Sequence, residues 1–325
     1  MNPRVRREGV LAFTVALGAL LVLFGRHVQW GLVLKAVRDA DPALLVLAVG
    51  LNLLSLALKG VRWWVFLEPL GVRSARLVLS ATFAGASLNN LVVAQGGEAA
   101  RVMLVSRGSG VASARVLSAL TLERLLDAMC YLLLLVVATW SLDVGESLTR
   151  WRGVATVAVG VFVAGALALF ALAARHRARG VATDAPSPDR RLASFGRRFV
   201  AGATESATAP RIGIAMLLSI AAWALQVATY HLVARAAHLT LPVTGSIAAM
   251  LTVGMSFLIR ATPGNMGVFQ VAYALTVGRF GVPEAAAVAV ALLIQAVQVL
   301  PVLGIGMGVV GRRTVGRSNG RIVGL

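Results

Sequence analysis

The sequence predicts an all-α polytopic membrane protein of two inverted repeats, with about six full transmembrane helices and two re-entrant helical hairpins. Three observations carry that expectation. The 325 residues are 58% hydrophobic and 14% charged, with a mean hydropathy of +0.83, and several apolar runs reach the ~20 residues that cross a bilayer. The basic residues collect in loops, which orients the chain by the positive-inside rule. Two polar, glycine-containing stretches, residues 89–101 and 260–270, interrupt apolar segments in the two halves. Irregular polar backbone at membrane depth is tolerated only where it is buried in protein or lines a cavity.

The elements follow in order. Residues 9–25, preceded by Arg4, Arg6 and Arg7, read as a retained first helix, because no small-residue cleavage site precedes polar sequence. With the basic N-terminus inside, residues 42–58 return to a basic loop over 59–76 that carries Arg62, Arg73 and Arg76. The loop over 141–150 holds Asp143 and Glu146 and reads as outside, so the helix over 117–142 starts inside. Between those points the chain makes an even number of passes. The arm over 99–106 that follows residues 77–94 is too short to span, so a re-entrant hairpin satisfies both facts. Residues 153–174 lead back to the arginine-rich inside segment 175–211, and 212–234 goes out. The last helix, 285–310, must end at the inside tail with Arg312, Arg313, Arg317 and Arg321. Residues 243–259 and 268–280 then form a hairpin of opposite sense. An internal echo agrees: placing Gly110-Val111 over Gly281-Val282 also places Gly96 over Gly267 and Arg124 over Gln295.

This divides the chain into residues 1–174, whose last helix belongs to the second repeat, a basic linker over 175–210, the rest of the second repeat over 211–311, and a basic tail over 312–325. Both termini are expected on the cytoplasmic side of the cytoplasmic membrane.

A net charge of +18 and a pI near 11.8 would suggest a nucleic-acid partner in a soluble protein. Here the charges are topological, so no nucleic acid is expected, and the partners are membrane lipids with anionic headgroups. Cys130 is the single cysteine, which excludes an intramolecular disulfide and a cysteine metal cage. With no phosphate-binding loop and no metal-ligand spacing, neither cofactor nor metal is expected.

The candidate substrate-binding residues come from three places. In the first motif, Asn89, Asn90, Gln95, Gly96, Gly97, Glu98 and Arg101 surround a tight reversal permitted by the two glycines, followed by a helix start whose free N–H groups attract an anion. Glu98 and Arg101 share a face, so a structural ion pair is one reading and a ligand-facing pair the other. Glu123, Arg124 and Asp127 open the next long helix and can all face the bundle interior. The second motif holds Arg260, Pro263, Gly264, Asn265, Gly267 and Gln270. There Pro263 and the glycines break a helix, and Arg260 offers a fixed charge to a phosphate or carboxylate, or caps its own helix. Gln226, His231, Gln295 and Gln298 read as glue between membrane helices.

Taken with Glu123-Arg124-Leu125-Leu126-Asp127 and Phe280-Gly281-Val282-Pro283, these motifs resemble the flippase-like membrane region of lysylphosphatidylglycerol synthases and their stand-alone relatives. The likeness runs over about residues 10–310. It implies movement of a lipid headgroup across the bilayer, without the separate aminoacyltransferase domain. Glu98, Arg101, Glu123, Arg124 and Asp127 match the family pattern. Departures are Val93 and Gln95 for proline and arginine, Gln270 for a glutamate, and Gln295 for an arginine. The expected function is an integral membrane lipid translocase for an anionic headgroup, with transport rather than catalysis. The alternative is a membrane-embedded glycosyl or lipid-modifying enzyme, or its non-catalytic partner subunit.

Overall fold

The computed structural model describes residues 30–91, 96–141, scattered helical positions between 153 and 168, 190–257 and 265–319. The first apolar run and the motif tips at 92–95 and 258–264 lie outside the described residues. Among the described residues, regular structure is helical, with no strand. The order is α1 (Trp30–Asp39), α2 (Pro42–Leu67) with a 3-10 turn over Glu68–Leu70, α3 (Ala75–Leu91), α4 (Gly96–Ser109) and α5 (Ser113–Ser141). Then come α6 (Arg190–Ser206), α7 (Ala209–Ala236), α8 (Val243–Ser256), α9 (Val268–Gly278) and α10 (Glu284–Asn319). Among the described residues, three stretches are long and apolar enough to cross a membrane: Pro42–Leu70, Ala209–Ala236 and Glu284–Gly308.

α2 starts cleanly because Asp41 caps it, accepting from the N–H groups of Ala43 at 2.8 Å and Leu44 at 3.3 Å, with Pro42 in the first turn. It does not end at residue 58. The helix continues to Leu67, so Lys59 and Arg62 are helical residues rather than loop residues. Both are good helix formers, and the buried charge of Arg62 is met by carboxylates from α5. Gly71, at φ 101°, then closes the turn.

α2 and α7 pack against each other in antiparallel fashion. The Asp41 N–H donates to the Ala236 carbonyl at 2.9 Å at one end, Ser55 Oγ donates to the Ala222 carbonyl at 2.8 Å midway, and Arg211 pairs with Glu68 at 2.9 Å at the other end. α3 and α4 also run antiparallel, crossing so closely that a Cβ on Gly97 would strike the Gly85 carbonyl and Asn89. The two glycines of the first motif are therefore ordinary helical residues at the start of α4, and Gly97 serves close approach rather than an unusual φ. At 1.5 Å per residue each arm of the α3/α4 and α8/α9 pairs is shorter than the ~30 Å hydrocarbon core.

Two apolar cores result. One joins α2, α3, α4 and α5 around Trp63, Phe66, Val78, Val105 and Leu126. The other joins α7, α8, α9 and α10 around Tyr230, Met250, Phe269, Tyr273 and Ile294. The long helices that close each group start alike: α5 at Ser113 after Gly110 (φ 75°), and α10 at Glu284 after Gly281 (φ 80°). Both glycines occupy the left-handed region that side chains disfavour. α6 falls within the segment 175–210 and packs on α5, where Gly202 meets Arg115 and Ser118 and Glu205 pairs with Arg115.

Candidate functional site

Charged residues of the first motif and of α5 meet in a single network organised by Arg62. Its guanidinium is 0% exposed and donates to Asp127 at 2.7 Å, Ser219 at 2.6 Å and Glu123 at 3.1 Å. Glu123 also accepts from Arg101 at 2.8 Å, and Arg101 lies over the Trp63 ring at 4.3 Å. The Glu98–Arg101 pair expected from spacing is the looser contact, at 3.6 Å. Glu98 instead takes a hydrogen bond from Arg124, whose half-exposed side chain lies 3.9 Å from Asp127. Three arginines thus face three carboxylates, and the network is neutral as a whole. Burial of such charges is tolerable because each is paired and hydrogen-bonded.

Beside this network lies a cavity of about 360 Å³, bounded by α2, α3, α7, α8, α9 and α10, its largely apolar walls carrying a set of polar side chains that make it the polar cavity of this fold. Asn52, Ser55 and Lys59 enter from α2, Asn89 and Asn90 from the end of α3, Trp223, Gln226 and Tyr230 from α7, and Gln295 and Gln298 from α10. Among the described residues, Lys59 is the only charged one in this lining. Its ammonium sits 5.4 Å from the centre of the Trp223 ring and has no carboxylate within 4.0 Å among the described residues. Part of the amide lining is already engaged: Asn52 donates to the Gln298 carbonyl at 3.4 Å, and Asn89 Oδ1 accepts from the Gly97 N–H at 2.9 Å. The Trp223 indole N–H, by contrast, has no hydrogen-bond partner among the described residues.

The second motif contributes through its described part. Asn265, at φ 58°, donates to Ser256 Oγ at 2.9 Å, and Gly267, at φ 86°, caps α9. Gln270 is fully buried. Its Oε1 accepts from the Gly267 N–H at 2.7 Å and its Nε2 donates to Gln295 Oε1 at 2.6 Å, which ties α9 to the cavity wall. The two departures at 270 and 295 are therefore direct partners, and a neutral amide pair stands where the resemblance implies opposite charges. Gln95, Arg260, Pro263 and Gly264 lie outside the described residues.

Of the expected site residues, Asn89 and Asn90 line the cavity, whereas Glu98, Arg101, Glu123, Arg124 and Asp127 form the neighbouring network. Sequence reasoning missed Lys59 and Arg62. A signal existed: Asn52, Ser55, Lys59 and Arg62 recur at helical spacing and make one polar stripe along an otherwise apolar helix.

The profile described as "Lysylphosphatidylglycerol synthase TM region" matches residues 10–306. The chain belongs to that family. It is a membrane protein, and similar curated proteins differ in what their names state. One is "Glycosyltransferase AglD" from Haloferax volcanii, 27% identical over 92% of this chain and 53% of the relative. Another is a "UPF0104 membrane protein" from Methanothermobacter thermautotrophicus, 28% identical over 48% of this chain and 46% of the relative. The chain spans about half the length of these curated relatives.

Proposed function

We propose that the chain is a flippase-like lipid translocase of the cytoplasmic membrane, and that its polar cavity receives an anionic lipid headgroup during passage. One observation carries this reading: an ammonium, Lys59, stands among amides about 12 Å in from the end of α2, and among the described residues no carboxylate lies within 4.0 Å of it, the fields of Asp127 and Glu123 reaching it from farther off. A charge at membrane depth costs roughly 2.5 to 3.5 kcal/mol on insertion scales, and a bound phosphate is its natural counter-ion. The neutral arginine–carboxylate network offers no such net charge, and its role is to hold α2, α4 and α5 in register beside the cavity.

A repeated spacing along the chain supports the same reading. Asn52, Ser55 and Lys59 stand 171 residues before Trp223, Gln226 and Tyr230, and all six line the cavity. The starts of α5 and α10, and the positive-φ glycines before them, share that offset. A pseudo-two-fold relation through the cavity accounts for this pattern, with α3/α4 and α8/α9 as opposed re-entrant hairpins. This reading has six crossings and, by the positive-inside rule, both termini cytoplasmic.

The name of the Haloferax relative favours a second reading, a membrane subunit that serves lipid glycosylation. Direct catalysis needs a free general base or a metal, and Glu98, Glu123 and Asp127 are all paired to arginines.

The test is leaflet-resolved transport. In vesicles containing purified protein, a fluorescent phosphatidylglycerol should change leaflet faster than a phosphatidylcholine control, and Lys59→Met should slow it about tenfold, the loss of one charge-assisted bond. Equal rates for both lipids, or no effect of Lys59→Met, would end the translocase reading.

A further inference from the structure

A second cavity, of about 710 Å³, opens on the opposite face of α3 from the polar one. Ala86, Asn89 and Asn90 face the polar cavity, whereas Ala84, Ser87, Leu88 and Leu91 face this groove. At 100° per residue these two sets lie on opposite sides of one helix. The other walls are Met103, Leu104 and Arg107 of α4 and Gly306-Met307 of α10. Among the described residues the groove is apolar apart from Ser87 and one cation, Arg107, which is exposed and pairs there with no carboxylate within 4.0 Å.

The placement of that cation gives the groove a direction. Leu88, Leu91 and Ala100 lie toward the tip of the α3/α4 pair, while Arg107 lies in the last turn of α4, beside the start of α3 where Gly108 meets Leu77. If the pair enters the membrane as a re-entrant hairpin, Arg107 sits at the interface and the apolar floor runs from it toward the midplane. An acyl chain hanging below a phosphate has that order of charge and hydrocarbon, and interfacial arginines attract such headgroups.

We propose that this groove holds one phospholipid, its phosphate on Arg107 and one acyl chain along α3 and α4, in the leaflet that α3 enters from. The inference rests on the hairpin reading above and deepens it. The lipid waits one helix away from the polar cavity, which makes the groove a lateral loading position for a substrate with a phosphate headgroup and hydrocarbon tails. Gly306 lets α10 approach α3 closely enough to close the wall, since a Cβ there would strike Ser87.

The experiment uses the full chain in vesicles of phosphatidylglycerol and phosphatidylcholine, with a photo-crosslinking residue in place of Met103, which is 48% exposed. A control probe replaces Leu217, 69% exposed on α7 and away from the groove. Mass spectrometry reads the lipid attached. The Met103 probe should capture phospholipid by its acyl chain, and Arg107→Gln should lower that yield about fivefold while Arg107→Lys retains it. The Leu217 probe should be indifferent to both changes. Adding soluble glycerol phosphate should leave the yield unchanged, because the groove takes a lipid and not a free phosphate. Lys59→Met should also leave it unchanged, so loss of transport with an intact cross-link would fault the polar cavity alone. If Arg107→Gln affects the two probes equally, or if glycerol phosphate competes, the groove holds ordinary boundary lipid or a soluble anion and the proposal is overturned.

Discussion

Replacing Arg62 by methionine should be among the most damaging single changes in this fold. The guanidinium is 0% exposed and holds Asp127, Ser219 and Glu123 at 2.6 to 3.1 Å. Without it, Arg101 and Arg124 remain to face Glu98, Glu123 and Asp127, so one buried negative charge is left over. Among the described residues, the ion pair within 4.0 Å that Asp127 then keeps is the 3.9 Å contact with Arg124. Removing one partner of a buried ion pair costs about 3 to 5 kcal/mol. The double change Arg62→Met with Asp127→Asn restores neutrality, and the coupling between the two should be on the order of 1 to 3 kcal/mol. Unfolding in mixed micelles, followed by tryptophan fluorescence, measures both, with exposed Arg235→Met as the reference. Trp63, against Arg101 at 4.3 Å, reports the network directly. The reasoning is refuted if Arg62→Met costs no more than Arg235→Met, or if the double change is additive.

Other consequences are equally open to measurement. Gln270→Leu removes the acceptor of the Gly267 N–H and the donor to Gln295 Oε1 and should cost about 1 to 3 kcal/mol in the same unfolding assay. Because the pair is direct, Gln270→Glu combined with Gln295→Arg should be tolerated better than either change alone; equal damage from all three would separate the two positions energetically. Gly97→Val should destabilise by about 1 to 3 kcal/mol through overpacking at the α3/α4 crossing, and a neutral effect would mean the arms are not in contact. For topology, a cysteine at Gly145 should react with an impermeant reagent from outside and one at Ser187 should not, since Cys130 is buried and gives little background. The reverse labelling would invert the orientation.

The sequence made the helical class and the family legible because both rest on long apolar runs and on clustered motifs. The end of α2 was not legible. Lys59 and Arg62 look like the start of a basic loop when read locally, and the carboxylates that neutralise Arg62 are supplied by α5, some sixty residues later. α1 and α6 escaped for a different reason: at 10 and 17 residues, with polar faces, they produce no apolar run of membrane length. The pairing of Gln270 with Gln295 was equally hidden, since only the docking of α9 on α10 turns two separate losses of charge into one compensated contact. At Gly97 the residue type was readable but its reason was tertiary, the approach of Gly85 across the α3/α4 crossing.

Lys59 is proposed to supply the positive charge of a headgroup cavity. Equilibrium binding of phosphatidylglycerol and phosphatidylcholine to purified wild-type, Lys59→Met and Lys59→Arg proteins tests it most directly. Lys59→Met should weaken phosphatidylglycerol binding about tenfold, Lys59→Arg should retain most of it, and phosphatidylcholine binding should stay constant. Unchanged phosphatidylglycerol affinity in Lys59→Met, or an equal loss for both lipids, would contradict it.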